Sequence, residues 1–147
     1  MQGRNIILAL TVATLFSLLV VGAYVTVAGY GDACGVNTPE DWPLCNGHLL
    51  PSTDAASIVE YAHRIFASLS GLFLILTTVS FWRAKDSQPV ARKLLYLALG
   101  SIIAEIVLGG IVVNTNLSAP VVTLHQAIAL LVFGFTVSAA AVAFRKA

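Results

Sequence analysis

The residues best suited to chemistry sit together in Glu60-Tyr61-Ala62-His63-Arg64, at the start of a strongly apolar run. Glu60 and His63 are three apart and Glu60 and Arg64 four apart, so on a helix they share one face. A carboxylate, an imidazole and a guanidinium so placed can move protons, ligate a metal and bind an anion. No ionisable group follows from Ile65 to Trp82, and ionisable residues set in such a run are by default functional. A second imidazole, His125, begins another apolar run, and one acid, Glu105, lies inside a third. Glu105 either hydrogen-bonds a neighbouring helix, relays protons or contacts a substrate. His48, in a loop, has no role readable from its position.

The elements that must position these groups follow from composition. Of 147 residues, 58% are hydrophobic and 10% charged, against about 25% charged in a soluble domain. Apolar runs cover Ile6–Ala28, Ser57–Trp82, Leu94–Val113 and Val121–Phe144, each near the roughly 20 residues that cross a hydrocarbon core. The reading is an all-α membrane protein: residues 1–147 form a single four-transmembrane-helix bundle with one long outer loop, 29–56. The first run is too long for a secretory signal, whose apolar region is about 7–15 residues. Arg4 precedes the first run, Arg83, Lys85, Arg92 and Lys93 separate the second and third, and Arg145 and Lys146 follow the fourth. The loops 29–56 and 114–120 contain no Lys or Arg. Both termini are therefore expected in the cytoplasm. Nothing indicates nucleic acid.

Cys34 and Cys45 both fall in the outer loop, where disulfides form. The pair is open between a structural staple and a thiol or bridge with a chemical role. Trp42, Leu44, Leu49 and Leu50 predict that the loop folds back over the bundle mouth, with Trp42 at interface depth. Ser52, Thr53 or Asp54 is placed to cap the second helix. A faint repeat relates Val21-Gly22-Ala23-Tyr24-Val25-Thr26-Val27 to Leu108-Gly109-Gly110-Ile111-Val112-Val113-Asn114. Each stretch ends an outward helix, and each inward helix that follows carries a His near its start. Such repeats build membrane sites at their interface.

His63 and His125 lie roughly 9 and 6 Å below the outer end of their helices, from 1.5 Å per residue. Two imidazoles at similar depth can be axial ligands of haem iron, and Arg64 suits a haem propionate. The plain alternative is a helix–helix hydrogen bond for each His and an ordinary i,i+4 ion pair for Glu60 and Arg64. Zinc fits less well, since two His and distant carboxylates make a poor tetrahedral set.

Cys34, Asp41-Trp42-Pro43-Leu44-Cys45-Asn46-Gly47 and Glu60-x-x-His63-Arg64 resemble the first outer loop and second helix of the haem A synthase family. Leu108-Gly109-Gly110 and Val122-Thr123-Leu124-His125-Gln126 resemble that family's next helix pair. The resemblance covers nearly the whole chain. The family's usual members have two related four-helix halves. Each half supplies two histidines, and together they hold haem b and the substrate haem O. This chain resembles a compact, half-size member, so the resemblance implies a homodimer in which His63 and His125 come from each subunit. It implies oxidation of a methyl group of haem O to a formyl group by successive hydroxylations, giving haem A for terminal oxidases. His63 and His125 would then ligate haem iron, and Glu60 would be the catalytic carboxylate. Cys34 and Cys45 would be the loop pair, structural or redox-active. A haem O synthase and a terminal oxidase are implied partners, and the plasma membrane of a prokaryote the location, with the site towards the outer side. The family's Arg-x-Thr-Gly-Ser-Gly segment after the first helix is here Val25-Thr26-Val27-Ala28-Gly29-Tyr30-Gly31, without the Arg.

Three other readings compete. A haem b membrane cytochrome exchanging electrons with quinone would use His63 and His125 but need neither Glu60 nor the cysteines. A membrane thiol oxidant would use Cys34 and Cys45, although such proteins favour closely spaced pairs. A structural oxidase-assembly subunit would bind no haem.

Overall fold

A computed structural model of the chain describes residues 2–35, 44–84 and 88–145. Among the described residues there are four helices and no extended strand: α1 (Gln2–Ala28), α2 (Ala55–Arg83), α3 (Pro89–Asn114) and α4 (Ala119–Phe144). All four are long and apolar enough to cross a membrane, as expected of an all-α membrane bundle. Trp42, with Asp41 and Pro43 of the loop motif, lies outside the described residues, as do Glu40, Lys85 and Lys146.

The helices outrun their apolar stretches, most at the ends away from the long loop. Hydropathy marks only the part that suits hydrocarbon, whereas backbone hydrogen bonding continues into polar segments such as Gln2-Gly3-Arg4-Asn5. Pro89 and Pro120 stand in the first turns of α3 and α4, where a missing N–H costs nothing. Of the three candidate caps for α2, Asp54 is the one used: its Oδ1 accepts from the Ser57 N–H at 2.9 Å.

α1 stops in a Schellman turn. Gly29 takes φ +69°, its N–H reaches the Thr26 carbonyl, and the Tyr30 N–H reaches Val25 at 2.9 Å. The Tyr30 ring packs edge-on against Tyr24, centroids 6.0 Å apart. α3 ends similarly, with Asn116 at φ +50° and the Leu117 N–H bonded to the Val112 carbonyl at 3.0 Å.

The helices pair as two hairpins, α1 with α2 and α3 with α4, joined through α1–α4 and α2–α3 contacts. Early residues of one helix meet late residues of the next. Thr11 and Thr77 hydroxyls bond at 2.8 Å, and the Arg4 guanidinium lies 4.4 Å from the Phe81 ring centre. The buried cluster, which includes Leu8, Leu15, Leu74, Phe81, Leu95 and Val132, fills the half of the bundle away from the long loop. In the loop half, helix stretches 16–24, 61–69, 103–114 and 119–131 contain no fully buried residue. Both histidines lie in these stretches.

Candidate functional site

His63 and His125 sit eight and six residues into α2 and α4, about 12 and 9 Å from the loop end. Both are deeper than expected by the same amount, because each helix starts two residues before its apolar run. Each ring rests on a glycine of the preceding helix. A Cβ built on Gly22 would stand 2.9 Å from His63 Cε1, and one on Gly109 would stand 3.4 Å from His125 Cε1. The faint repeat is therefore a repeat of site geometry: Gly22 seats His63 as Gly109 seats His125. Gln126, beside His125, ties α4 to α1 by donating to the Thr26 hydroxyl at 3.1 Å.

Their polar surroundings differ. His125 Nδ1 lies 3.2 Å from Glu105 Oε1. The Nδ1 atoms of both histidines are buried without a hydrogen-bond partner in place.

Glu60, 4% exposed, is clamped from two sides. The Cys34 backbone N–H donates to its Oε2 at 2.8 Å, and Arg64 Nη2 donates to its Oε1 at 2.5 Å. Arg64 Nη1 also donates to the Leu44 carbonyl. The sequence expected Glu60 and Arg64 to share a helix face, and they do. What spacing did not reveal is that their shared partner is the long loop.

Cys34 and Cys45 form a disulfide, and both are buried. Asn46 reinforces it: its N–H donates to the Cys34 carbonyl and its side-chain amide to the Ala33 carbonyl, each at 3.0 Å. Cys45 and His48 exchange two backbone hydrogen bonds around Asn46-Gly47, both at positive φ. This is the tight turn that an Asn-Gly pair favours, a signal present in the sequence. His48 itself is exposed in this turn, apart from the histidine pair. Ser57, also missed, donates to the Ala33 carbonyl at 3.3 Å and so fastens the same loop end to α2.

The donor set suits a haem better than a bare ion. Among the described residues no three His, Cys, Asp or Glu side chains cluster to hold a metal. Two imidazoles on matching glycine seats, each with a buried Nδ1 that lacks a hydrogen-bond partner, fit axial ligation of a flat macrocycle. An apolar cleft lined by Thr78, Val79, Trp82 and Tyr96 lies at the opposite end of α2 and has no part in this arrangement.

The fold defines a multi-pass membrane protein, two of whose helices each carry a histidine seated on a glycine. The chain belongs to the COX15-CtaA family of cytochrome oxidase assembly proteins, which it matches over residues 5–147. It is similar to proteins named Heme A synthase: 36% identical over 130 residues to that of Bacillus pumilus, covering 84% of this chain and 40% of the relative; 32% over 133 residues to that of Bacillus licheniformis, covering 90% and 42%; and 33% over 132 residues to that of Symbiobacterium thermophilum, covering 90% and 42%. The chain thus spans about two-fifths of the length of these relatives. No solved structure matches it.

Proposed function

We propose that the chain carries out haem A synthesis, oxidising the methyl group of haem O to a formyl group by successive hydroxylations. The observation that carries this reading is the repeated seat: His63 on Gly22 and His125 on Gly109, each in a helix stretch that contains no fully buried residue. The relatives named Heme A synthase support it. His63 and His125 are the ligands of haem iron. Haem b, when bound, supplies a redox-active iron. Haem O is substrate and haem A product.

Glu60 is the catalytic carboxylate in this reading. Each carboxylate oxygen has more than one acceptor position, so the clamp of Cys34 N–H and Arg64 fixes the group without exhausting it. So held, it can take a proton from water or stabilise positive charge at the reacting carbon. Arg64 is the partner of a haem propionate, on its charge and its place beside His63. The Cys34–Cys45 bridge holds the clamp together.

Residues 1–147 act as one transmembrane unit in the plasma membrane of a prokaryote. Arg4, Arg83, Arg92, Lys93 and Arg145 lie at the end opposite the long loop. This supports cytoplasmic termini and a site towards the outer side. A homodimer brings a second His63 and His125, and a haem O synthase and a terminal oxidase are the partners before and after.

The test is to purify the protein from cells that supply haem O and to separate its extracted haems by chromatography. Haem A from the wild type, and haem O or a hydroxylated intermediate alone from Glu60→Ala, is the expected result. The clamp on Glu60 also favours a second reading, in which Glu60 is purely structural and the chain is a haem b cytochrome exchanging electrons with quinone. Haem b alone from both proteins, with a normal bis-histidine spectrum, selects that reading. No haem in either sinks both.

A further inference from the structure

The two histidine seats are alike in shape and unlike in charge. Glu105 and Gly109 are four apart on α3 and so share a face; Gly109 lies under the His125 ring and Glu105 beside its Nδ1, 3.2 Å away. The repeat that matches Gly22 with Gly109 puts Leu18 in the place of Glu105. The Leu18 side chain offers no acceptor; the Nδ1 of both histidines lacks a hydrogen-bond partner, and a carboxylate stands 3.2 Å from that of His125.

A carboxylate in an apolar helix is costly and needs a reason to be there. Glu105 is 13% exposed, and its Oε2 has no hydrogen-bond partner. The contact with His125 is within ion-pair distance at 3.2 Å but outside hydrogen-bond geometry, so the bond requires the ring or the carboxylate to turn.

We propose that Glu105 is a positioning residue for His125: its carboxylate accepts the Nδ1–H, holds the ring against Gly109, and leaves the Nε2 lone pair as the one offered to a metal. A carboxylate behind a ligating imidazole fixes its tautomer and raises its basicity. His125 is thereby the electron-rich ligand and His63 the ordinary one. This rests on the haem reading only for the identity of the metal, because the tautomer of His125 belongs to the protein itself.

The first readout is the nitrogen NMR spectrum of haem-free protein labelled with 15N-histidine in bilayers, with His125→Ala to assign the signal. His125 is expected with Nδ1 protonated and Nε2 bare. Glu105→Gln, whose amide oxygen still accepts, keeps that form; Glu105→Leu moves it to the Nε2-protonated form. The second readout is the haem-loaded protein. Glu105→Gln is expected to bind haem with a more positive midpoint potential than wild type, and Glu105→Leu to lose about 10- to 100-fold in haem affinity. A wild-type His125 protonated at Nε2, or at both nitrogens, overturns the proposal. So does a tautomer unchanged in Glu105→Leu. If the tautomer follows Glu105 but the wild type takes up no haem, the role of Glu105 stands and the haem reading falls. If haem binds and the tautomer ignores Glu105, the reverse holds.

Discussion

The His63 ring occupies the space where a side chain at Gly22 would begin, its Cε1 2.9 Å from the position of a Cβ there. His125 stands off the corresponding point of Gly109 by 3.4 Å, an ordinary contact. A methyl group added at each glycine therefore has unequal effects. Gly22→Ala must displace the ring, at about 1–3 kcal/mol for overpacking, whereas Gly109→Ala is accommodated. Expected is a bis-histidine haem spectrum lost or altered in Gly22→Ala and nearly intact in Gly109→Ala, with helix content by circular dichroism unchanged in both.

Glu60→Gln keeps an oxygen for the Cys34 N–H and removes the charge facing Arg64. Loss of a positioned acid or base costs about 10²–10⁴-fold in rate. Haem loading should persist while haem A formation falls by roughly 100-fold or more. Glu60→Leu removes one member of a buried pair outright, which costs about 3–5 kcal/mol, and should lower the midpoint of thermal unfolding as well. Equal haem A yields from wild type and Glu60→Gln would remove Glu60 from the chemistry.

Cys34 and Cys45 are 11 apart in sequence, and closing so short a loop contributes about 3 kcal/mol by loop-closure entropy. Cys34→Ser with Cys45→Ser should lose that stability in a denaturation experiment. It should also speed hydrogen exchange at the Cys34 and Asn46 N–H groups, whose bonds depend on the bridged geometry.

Asp54 stands at the mouth of α2, outside the apolar span. The Ser52 hydroxyl first, then the Ser57 N–H, hold its carboxyl down at about 2. Its folded value lies below its unfolded one, so the cap contributes fully above about pH 4 and is lost as the pH falls through about 2. Wild type should destabilise across that window, Asp54→Asn much less, and Asp54→Ala should start lower and change little. Thermal unfolding followed at stepped pH reads all three.

The four spans were plain in the sequence because each is long, apolar and bounded by polar or turn residues. The seats were half-legible. Aligning Gly22 with Gly109 exposed the repeat, and a His follows in each hairpin, but periodicity within a helix does not say which face meets a neighbour. Of the Glu60 clamp, the i,i+4 pair with Arg64 was legible; the other side was not, because it is a backbone N–H of Cys34, and a backbone group carries no sequence signature. The pairing of Glu105 with His125 was hidden for a related reason: the two residues are on different helices, and only packing sets their register. The Asn46-Gly47 turn, by contrast, was readable from local chemistry alone.

The close packing of Leu8, Leu74, Phe81 and Leu95 at one end, with both histidines at the other, makes the bundle resemble a clothes peg. The buried apolar packing lies in the spring, whereas the jaws are joined by polar ties such as that of Gln126 to Thr26. Damage at the jaws shows up as lost cargo, and damage at the spring as lost protein.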